Sequence, residues 1–247
     1  MSVLIIANKG SFFIDVQKKL GSEGFIFKDI SSFTNLDICN VISSKYTKVV
    51  YLGGETRFED NMDFANYHLP KALFDKAIEH NCSFVYLSSL SVFGWTDLDY
   101  VTVDSKRQPL DKYGESKNNF DKYVLSFPDR NVSVLFPASI HSNRGRSSVE
   151  KISKVFDKVS LMKSFRFPGV LSFVYRDDLI NDIITAIKSD GSIKKICSQD
   201  FVVAGLSNKT SVPIPRLPNG IFRFFAFLVG KRKALIVKML LRGIYYK

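Results

Sequence analysis

Short apolar runs alternate with amphipathic stretches over roughly the first 140 residues. "SVLIIA" reads as a buried strand, "FFIDVQKKLGSEG" as a helix and "FIFKDI" as a second strand. "KVVYLGG" is a further apolar run closed by glycines. "NYHLPKALFDKAIEHN" places Leu69, Leu73 and Ala77 at helical spacing, with Ala72 beside them. "SFVYLSS" is the next strand, "YGESKNNFDKYVLSF" the next helix, and "NVSVLFPASI" a strand that Pro137 terminates. Strands alternating with helices of this length predict right-handed βαβ units, and hence a doubly wound parallel sheet. Ligands of such sheets bind beyond the carboxyl ends of the strands, so the informative residues are expected there.

The pattern changes after about residue 142. "NRGRSS" is a polar loop, "VEKISKVFDKVSLM" an amphipathic helix and "SFRFPGVLSFVY" extended chain. "RDDLINDIITAIKS" is a helix with aspartates at its positive end. "SNKTSVPIPRLPNG" is loop-like, and the final segment is apolar and basic together. The organisation expected is a binding domain over 1–142 and a small region over 143–247, with the chain free to cross back to the sheet near 170–180.

Apolar residues make up 45% and charged residues 24% of the 247, which is ordinary for a folded globular chain. No apolar stretch is long enough to span a membrane. The opening "MSVLIIANKG" has no basic stretch before its apolar run, and that run is too short for a signal peptide. Cys39, Cys82 and Cys197 are scattered without metal-ligand spacing, so neither disulfides nor a metal is expected, and the location read is cytoplasmic. The net charge of +11 raises the question of nucleic acid. Much of the excess sits at the end, where Arg216, Arg223, Lys231, Arg232, Lys233, Lys238, Arg242 and Lys247 occur with no acid among them. That argues against a nucleic-acid-binding body. The tail reads first as a helix packed on the rest of the chain. Its second reading is peripheral contact with an anionic membrane at the inner face through 216–247, where Phe222, Phe225, Leu228 and Val229 mix with the bases.

Two stretches carry candidate chemistry. "FVYLSSLSVFG" is a strand running into serines, and "YGESK" puts Tyr113 and Lys117 one helical turn apart. An ammonium beside a phenol favours the phenolate, so Lys117 is expected to lower the Tyr113 pKa. Such a tyrosine can exchange a proton with a sugar or alcohol oxygen, and a serine hydroxyl from the strand end can hold that oxygen. The order of strand, serines, polar loop and Tyr-x-x-x-Lys pair is more specific than any one member.

With these motifs the chain resembles the extended short-chain dehydrogenase/reductase family, in its NAD-dependent epimerase/dehydratase branch acting on nucleotide sugars. The resemblance implies a Rossmann-like sheet with a small C-terminal substrate-binding subdomain. Aligning Val92, Phe93 and Gly94 with the family's Val-Tyr-Gly makes Ser89 the catalytic hydroxyl beside Tyr113 and Lys117, with Ser88 and Ser91 as near alternatives. Further implied cofactor contacts are the turn at Ala7, Lys9, Gly10, Ser11 and Phe12, and the second-strand end at Lys28, Asp29 and Ser31. They continue through Asp37 and Ile38 on the adenine side, Leu52, Gly53 and Gly54 at the third strand end, and Pro137, Ala138 and Ile140 by the nicotinamide. Tyr113 and Lys117 also belong to this set. Implied substrate contacts are Glu55, Ser89, Ser91, Ser139, Arg144 and Arg146. Asn66 stands where the family often has asparagine, and "SFVYRDDL" is similar to its Val-x-Asp-Asp-Leu element.

The departures are specific. The family's glycine triplet falls on Ala7, Gly10 and Phe13, so only the middle glycine remains. Phe136 stands where arginine often precedes the proline. "GIYYK" closes the chain without the last lobe of many relatives, which leaves the sugar unread. An acid at the second strand end suits NAD(H) and its absence NADP(H); with Ser31 matched to that position, the reading inclines to NADP(H). The function implied is a nucleotide-sugar 4-ketoreductase or 4-epimerase in bacterial surface-polysaccharide synthesis, with a homodimer implied by likeness alone. The alternative is a non-catalytic nucleotide-binding or regulatory relative.

Overall fold

The computed structural model describes residues 2–32, 41–94, 96, 99–141, 170–202 and 245–246. Its centre is a six-stranded, all-parallel sheet of β1 (Val3–Ala7), β2 (Phe25–Asp29), β3 (Lys48–Tyr51), β4 (Ser83–Leu87), β6 (Val132–Pro137) and β9 (Lys194–Cys197). The spatial order is β2-β1-β3-β4-β6-β9. The direction of winding reverses between β1 and β3, which makes their carboxyl ends the switch point where such sheets bind ligands.

Strand side chains alternate between two cores, as the period of two requires. Leu4 and Ile6, Val49 and Tyr51, Phe84 and Tyr86, and Val134 and Phe136 face one core. There they meet α3 (Leu69–Glu79) and α4 (Lys112–Leu125) through Leu73, Phe74, Phe120 and Val124. Val3, Ile5, Val50, Val85 and Leu135 face the other core. They meet α1 (Ser11–Leu20) through Val16 and α5 (Arg176–Lys188) through Leu179, Ile183 and Ile187. The spacing Leu69, Leu73, Ala77 is fully buried, as periodicity requires. Ahead of it, α2 (Glu59–Asp63) joins α3 through a π turn over Phe64–His68.

"NVSVLFPASI" divides into β6 and β7 (Ser139–His141). β7 pairs with β8 (Val170–Tyr175) and β8 with β10 (Gln199–Val202), giving a three-stranded second sheet. The strands β9 and β10 are not announced by the apolar pattern, because "KKIC" and "QDFV" are short and half polar. A two-residue pair joins β11 (Tyr245–Tyr246) to β5 (Tyr100–Val101). Between the halves of the chain lies a buried cation. Lys48, 3% exposed, donates from Nζ to the carbonyls of Ile187 and Ser189, both at 2.6 Å. It thereby caps the negative end of α5. Among the described residues no helix is long and apolar enough to cross a membrane, and no side-chain group could hold a metal ion.

Candidate functional site

The residues singled out by motif converge on the carboxyl edge of the main sheet. β4 runs into Ser88 and Ser89, after which a 3-10 turn covers Leu90–Val92. Ser89 caps that turn, its Oγ accepting from the Ser91 N–H at 3.2 Å. Gly94 closes the segment at φ +48°, where a Cβ would meet the Gln108 carbonyl oxygen at 1.8 Å, so only glycine fits. Asp111 caps α4, accepting from the Gly114 N–H at 2.7 Å. Gly114 in turn lets α4 lie directly on the serine turn, since a Cβ would stand 2.6 Å from the Ser91 carbonyl oxygen. This contact brings Tyr113 near Ser89, close enough for the serine hydroxyl to influence the phenol, while Ser89 Oγ itself donates to Ser91 Oγ at 3.2 Å.

Lys117 is 2% exposed, and its Nζ donates to the carbonyls of Gly53 at 3.0 Å and Leu87 at 2.9 Å. One ammonium thus ties the ends of β3 and β4 together, 4.7 Å from the centre of the Tyr86 ring. The expected lowering of the Tyr113 pKa by Lys117 is not found. Burial, with Asp111 and Asp121 adding to it, pushes the phenol up to about 12, and Ser89 provides the opposing influence. Burial brings Lys117 itself down to about 7, against the pull of Asp121. The Lys117 ammonium is directed at strand-end carbonyls instead.

At the switch point the Asn8 side chain accepts from the Gly54 N–H at 2.8 Å, linking the ends of β1 and β3. Asn66 is fully buried and holds the next residues: its Oδ1 accepts from the Glu55 N–H, while its Nδ2 donates to the Glu55 carbonyl and to Ser116 Oγ. The Glu55 carboxylate accepts from the N–H groups of Thr56 and Arg57, so it braces its own loop. Gly10 has extended backbone (φ 177°, ψ 179°), and a Cβ there would meet only the Asn8 carbonyl oxygen at 3.9 Å. The space over the α1 N-terminus is therefore open, as a pyrophosphate requires. Ala7 is buried at the end of β1, and Phe13 packs edge-on to Phe27 of β2 at 5.6 Å. The aromatic residue fills the seam between helix and sheet where a glycine would bring them closer. Arg176, at the start of α5, donates to Ser11 Oγ at 3.2 Å, pairs with Asp15 at 2.7 Å and lies over the Phe12 ring.

Asp29 is the last residue of β2, and its carboxylate accepts from the N–H groups of Lys9 and Ser31 and from Ser31 Oγ. Desolvation raises its pKa, but the hydrogen bonds to Ser31 and Lys9 outweigh it and leave the pKa lowered. Lys28 is exposed. Leu52 is buried, and Pro137, Ala138, Ser139 and Ile140 run from β6 into β7. Asp37, Ile38, Arg144 and Arg146 lie outside the described residues.

Motif matching misses two residues beside this site. Asp121, fully buried, accepts from Ser88 Oγ at 2.8 Å. Arg107 Nε stands 4.0 Å from the same carboxylate oxygen, with its guanidinium over the rings of Phe93 and Phe136. A guanidinium therefore does reach the Phe136 position, but from the loop before α4. The four-residue spacing Tyr113, Lys117, Asp121 is the signal that could have disclosed the carboxylate. A cavity of about 540 Å³ lined by residues including Glu59, Asp63, Lys112, Glu115 and Asn119 opens on the opposite side of α4, away from Tyr113, Lys117 and Ser89.

No family model matches the chain. It is 26% identical over 202 residues to the ADP-L-glycero-D-manno-heptose-6-epimerase of Fusobacterium nucleatum, covering 68% of this chain. The match spans 60% of that protein's length. Among solved structures it is similar to a dTDP-4-dehydrorhamnose reductase of Clostridium acetobutylicum (TM-score 0.62, 19% identity, 80% of this chain and 74% of that one). It is also similar to the Helicobacter pylori ADP-L-glycero-D-manno-heptose-6-epimerase (0.65, 16%, 100% and 84%). A third likeness is to the Bordetella bronchiseptica enzyme WbmG in complex with NAD and UDP (0.68, 13%, 99% and 84%). With the six-stranded parallel sheet, these likenesses show that the chain has a Rossmann-like fold.

Proposed function

We propose that the chain is a nicotinamide-dependent oxidoreductase acting on a nucleotide sugar, as a 4-ketoreductase or 4-epimerase in surface-polysaccharide synthesis. The observation that carries this reading is the convergence of Tyr113 and Ser89 at the sheet's carboxyl edge, with Lys117 anchored between the ends of β3 and β4. The open turn at Gly10 and the α1 N-terminus suit the pyrophosphate of the cofactor, and Lys117 is the group assigned to a ribose hydroxyl. When bound, the nicotinamide supplies or accepts the hydride. The Ser89 hydroxyl holds the reacting sugar oxygen, and Tyr113 passes that oxygen its proton. A phenol pushed up to about 12 is protonated at neutral pH, the form that donates.

Strand register favours NAD(H) over the NADP(H) inclination drawn from Ser31. The acid at the end of β2 is Asp29, and Ser31 serves as its hydrogen-bond donor. Nicotinamide fluorescence titration with both cofactors tests binding, followed by turnover on a panel of UDP-, dTDP- and ADP-linked sugars. Y113F is expected to keep its affinity and lose ~10²–10⁴ in rate. Absence of binding to either cofactor at millimolar concentration favours the non-catalytic alternative.

A further inference from the structure

Three charged side chains from two elements meet behind the Tyr113–Ser89 pair. Helix α4 presents Tyr113, Lys117 and Asp121 at four-residue spacing, and the last two are buried. Asp121 is held by Ser88 from the end of β4. Arg107 enters from the preceding loop, its guanidinium over two phenyl rings and its Nε 4.0 Å from the carboxylate. Asp121 Oδ1, Arg107 Nε and the Tyr86 hydroxyl are buried without hydrogen-bond partners among the described residues. Leaving polar atoms buried and without hydrogen-bond partners is costly. Apolar residues of similar volume would often be more stable at such a place. A cluster this expensive, one helical turn from the anchored lysine and holding Ser88 next to the Leu87 carbonyl that the lysine holds, calls for a role in the site.

We propose that Asp121 and Arg107 are positioning residues: the Asp121 carboxylate, held between Ser88 and Arg107, keeps Lys117 charged and seated on the carbonyls of Gly53 and Leu87. The proposal rests on the functional reading above and adds the group that sets the charge of its lysine. The groups facing Asp121 are Ser88 and Tyr86 from β4, Arg107 from the loop, and Lys117 and Tyr113 from α4 itself. Asp121 opposes the fall of the Lys117 pKa, and Lys117 opposes the rise of Asp121, whose burial takes it to about 6. The coupling is reciprocal. Losing the carboxylate makes Lys117 shed its proton at lower pH, and with it the charge that a ribose hydroxyl would meet.

The test follows the Lys117 side chain directly, by carbon-13 lysine labelling and pH titration of the cofactor-free protein. In D121N the Lys117 midpoint is expected to fall by about one pH unit or more, and D121E to bring it part of the way back. The pH at which nicotinamide affinity falls away is expected to move down in step. The reciprocal measurement uses K117M, in which the Asp121 carboxyl midpoint, read by labelled aspartate, is expected to rise. An unmoved lysine midpoint in folded D121N overturns the proposal. If D121N does not fold, an unmoved aspartate midpoint in K117M overturns it equally. A wild-type chain that binds neither cofactor overturns the functional reading instead, and the lysine titration, which needs no cofactor, still decides the coupling.

Discussion

Gly114→Ala sets two effects of known sign against each other. Gly114 lies in the first turn of α4, where alanine is the better helix former by about 1 kcal/mol. Against that gain, the new Cβ would stand 2.6 Å from the Ser91 carbonyl oxygen and 3.0 Å from Pro109 Cβ. A carbon-to-oxygen contact is comfortable only from about 3.3 Å, so helix and serine turn must part by roughly 0.7 Å. The Ser91 oxygen is backbone, so no side-chain rotation relieves the contact. Overpacking of this kind costs ~1–3 kcal/mol, which leaves a net loss of up to about 2 kcal/mol. Because Ser89 caps the turn being pushed and Tyr113 precedes the glycine, the same movement separates the two hydroxyls. A displacement approaching 1 Å can lower a rate by up to about 10²-fold. Urea unfolding reads the first effect and turnover of a keto-sugar nucleotide the second. Gly191→Ala serves as control: its Cβ would meet only Ser189 Oγ at 3.9 Å, and it is expected to stay within about 0.5 kcal/mol of wild type. A G114A protein as stable as wild type, with an unchanged rate, refutes the argument.

Further expectations concern the cofactor turn and the buried charges. Phe13→Gly restores the family glycine, but it removes a half-buried ring from Phe27 and places glycine in a helix, for a loss of about 3 kcal/mol by denaturation. Cofactor affinity is not expected to improve; a tenfold gain would show that Phe13 obstructs the turn. Asp29→Ala removes a charge-assisted hydrogen bond worth about 1.5–3 kcal/mol, so NADH affinity should fall tenfold or more while NADPH affinity holds. An equal loss for both would contradict the ribose assignment. Lys117 has its folded pKa lowered to about 7 from the ordinary lysine value of 10.5. Its buried charge therefore weakens the fold fully below about pH 7, and that burden fades as pH rises towards 10.5. Unfolding of K117M against wild type should accordingly show the variant's relative stability declining between about pH 7 and pH 10. A difference independent of pH would mean that the lysine is not buried as a cation.

Legibility in the sequence follows the range of the interaction concerned. The alternation that places Leu4 and Ile6 on one core and Val3 and Ile5 on the other is local, and so is the Leu69, Leu73, Ala77 stripe. The proximity of Tyr113 to the serine turn was legible because glycines with fixed tasks stand nearby, Gly114 next to Tyr113 and Gly94 at the end of the serine segment. The partners of Lys117 were not, since they are carbonyls 64 and 30 residues away, and any residue offers a carbonyl. Arg107 was hidden for a related reason. Its guanidinium reaches the Phe136 position from another segment, so the aligned position shows a phenylalanine while the space beside it holds the charge. The end of β2 depended on register: the pairing of Ala7 with Asp29 identifies the terminal acid, and pattern alone left it open by two residues.

The Lys48 clamp also bears on how the chain folds as it is made. Its acceptor carbonyls lie 139 and 141 residues downstream, so the ammonium has no native partner until synthesis has passed Ser189. Up to that point β6 also lacks its outer neighbour β9 and offers a bare strand edge. The N-terminal half thus leaves the ribosome with a cation that cannot be buried and an edge open to wrong pairing, and both are resolved by the same late segment. Such long-range closure slows folding and prolongs exposure of the unfinished sheet. Nascent chains halted before residue 170 should engage chaperones more strongly than chains halted after 200.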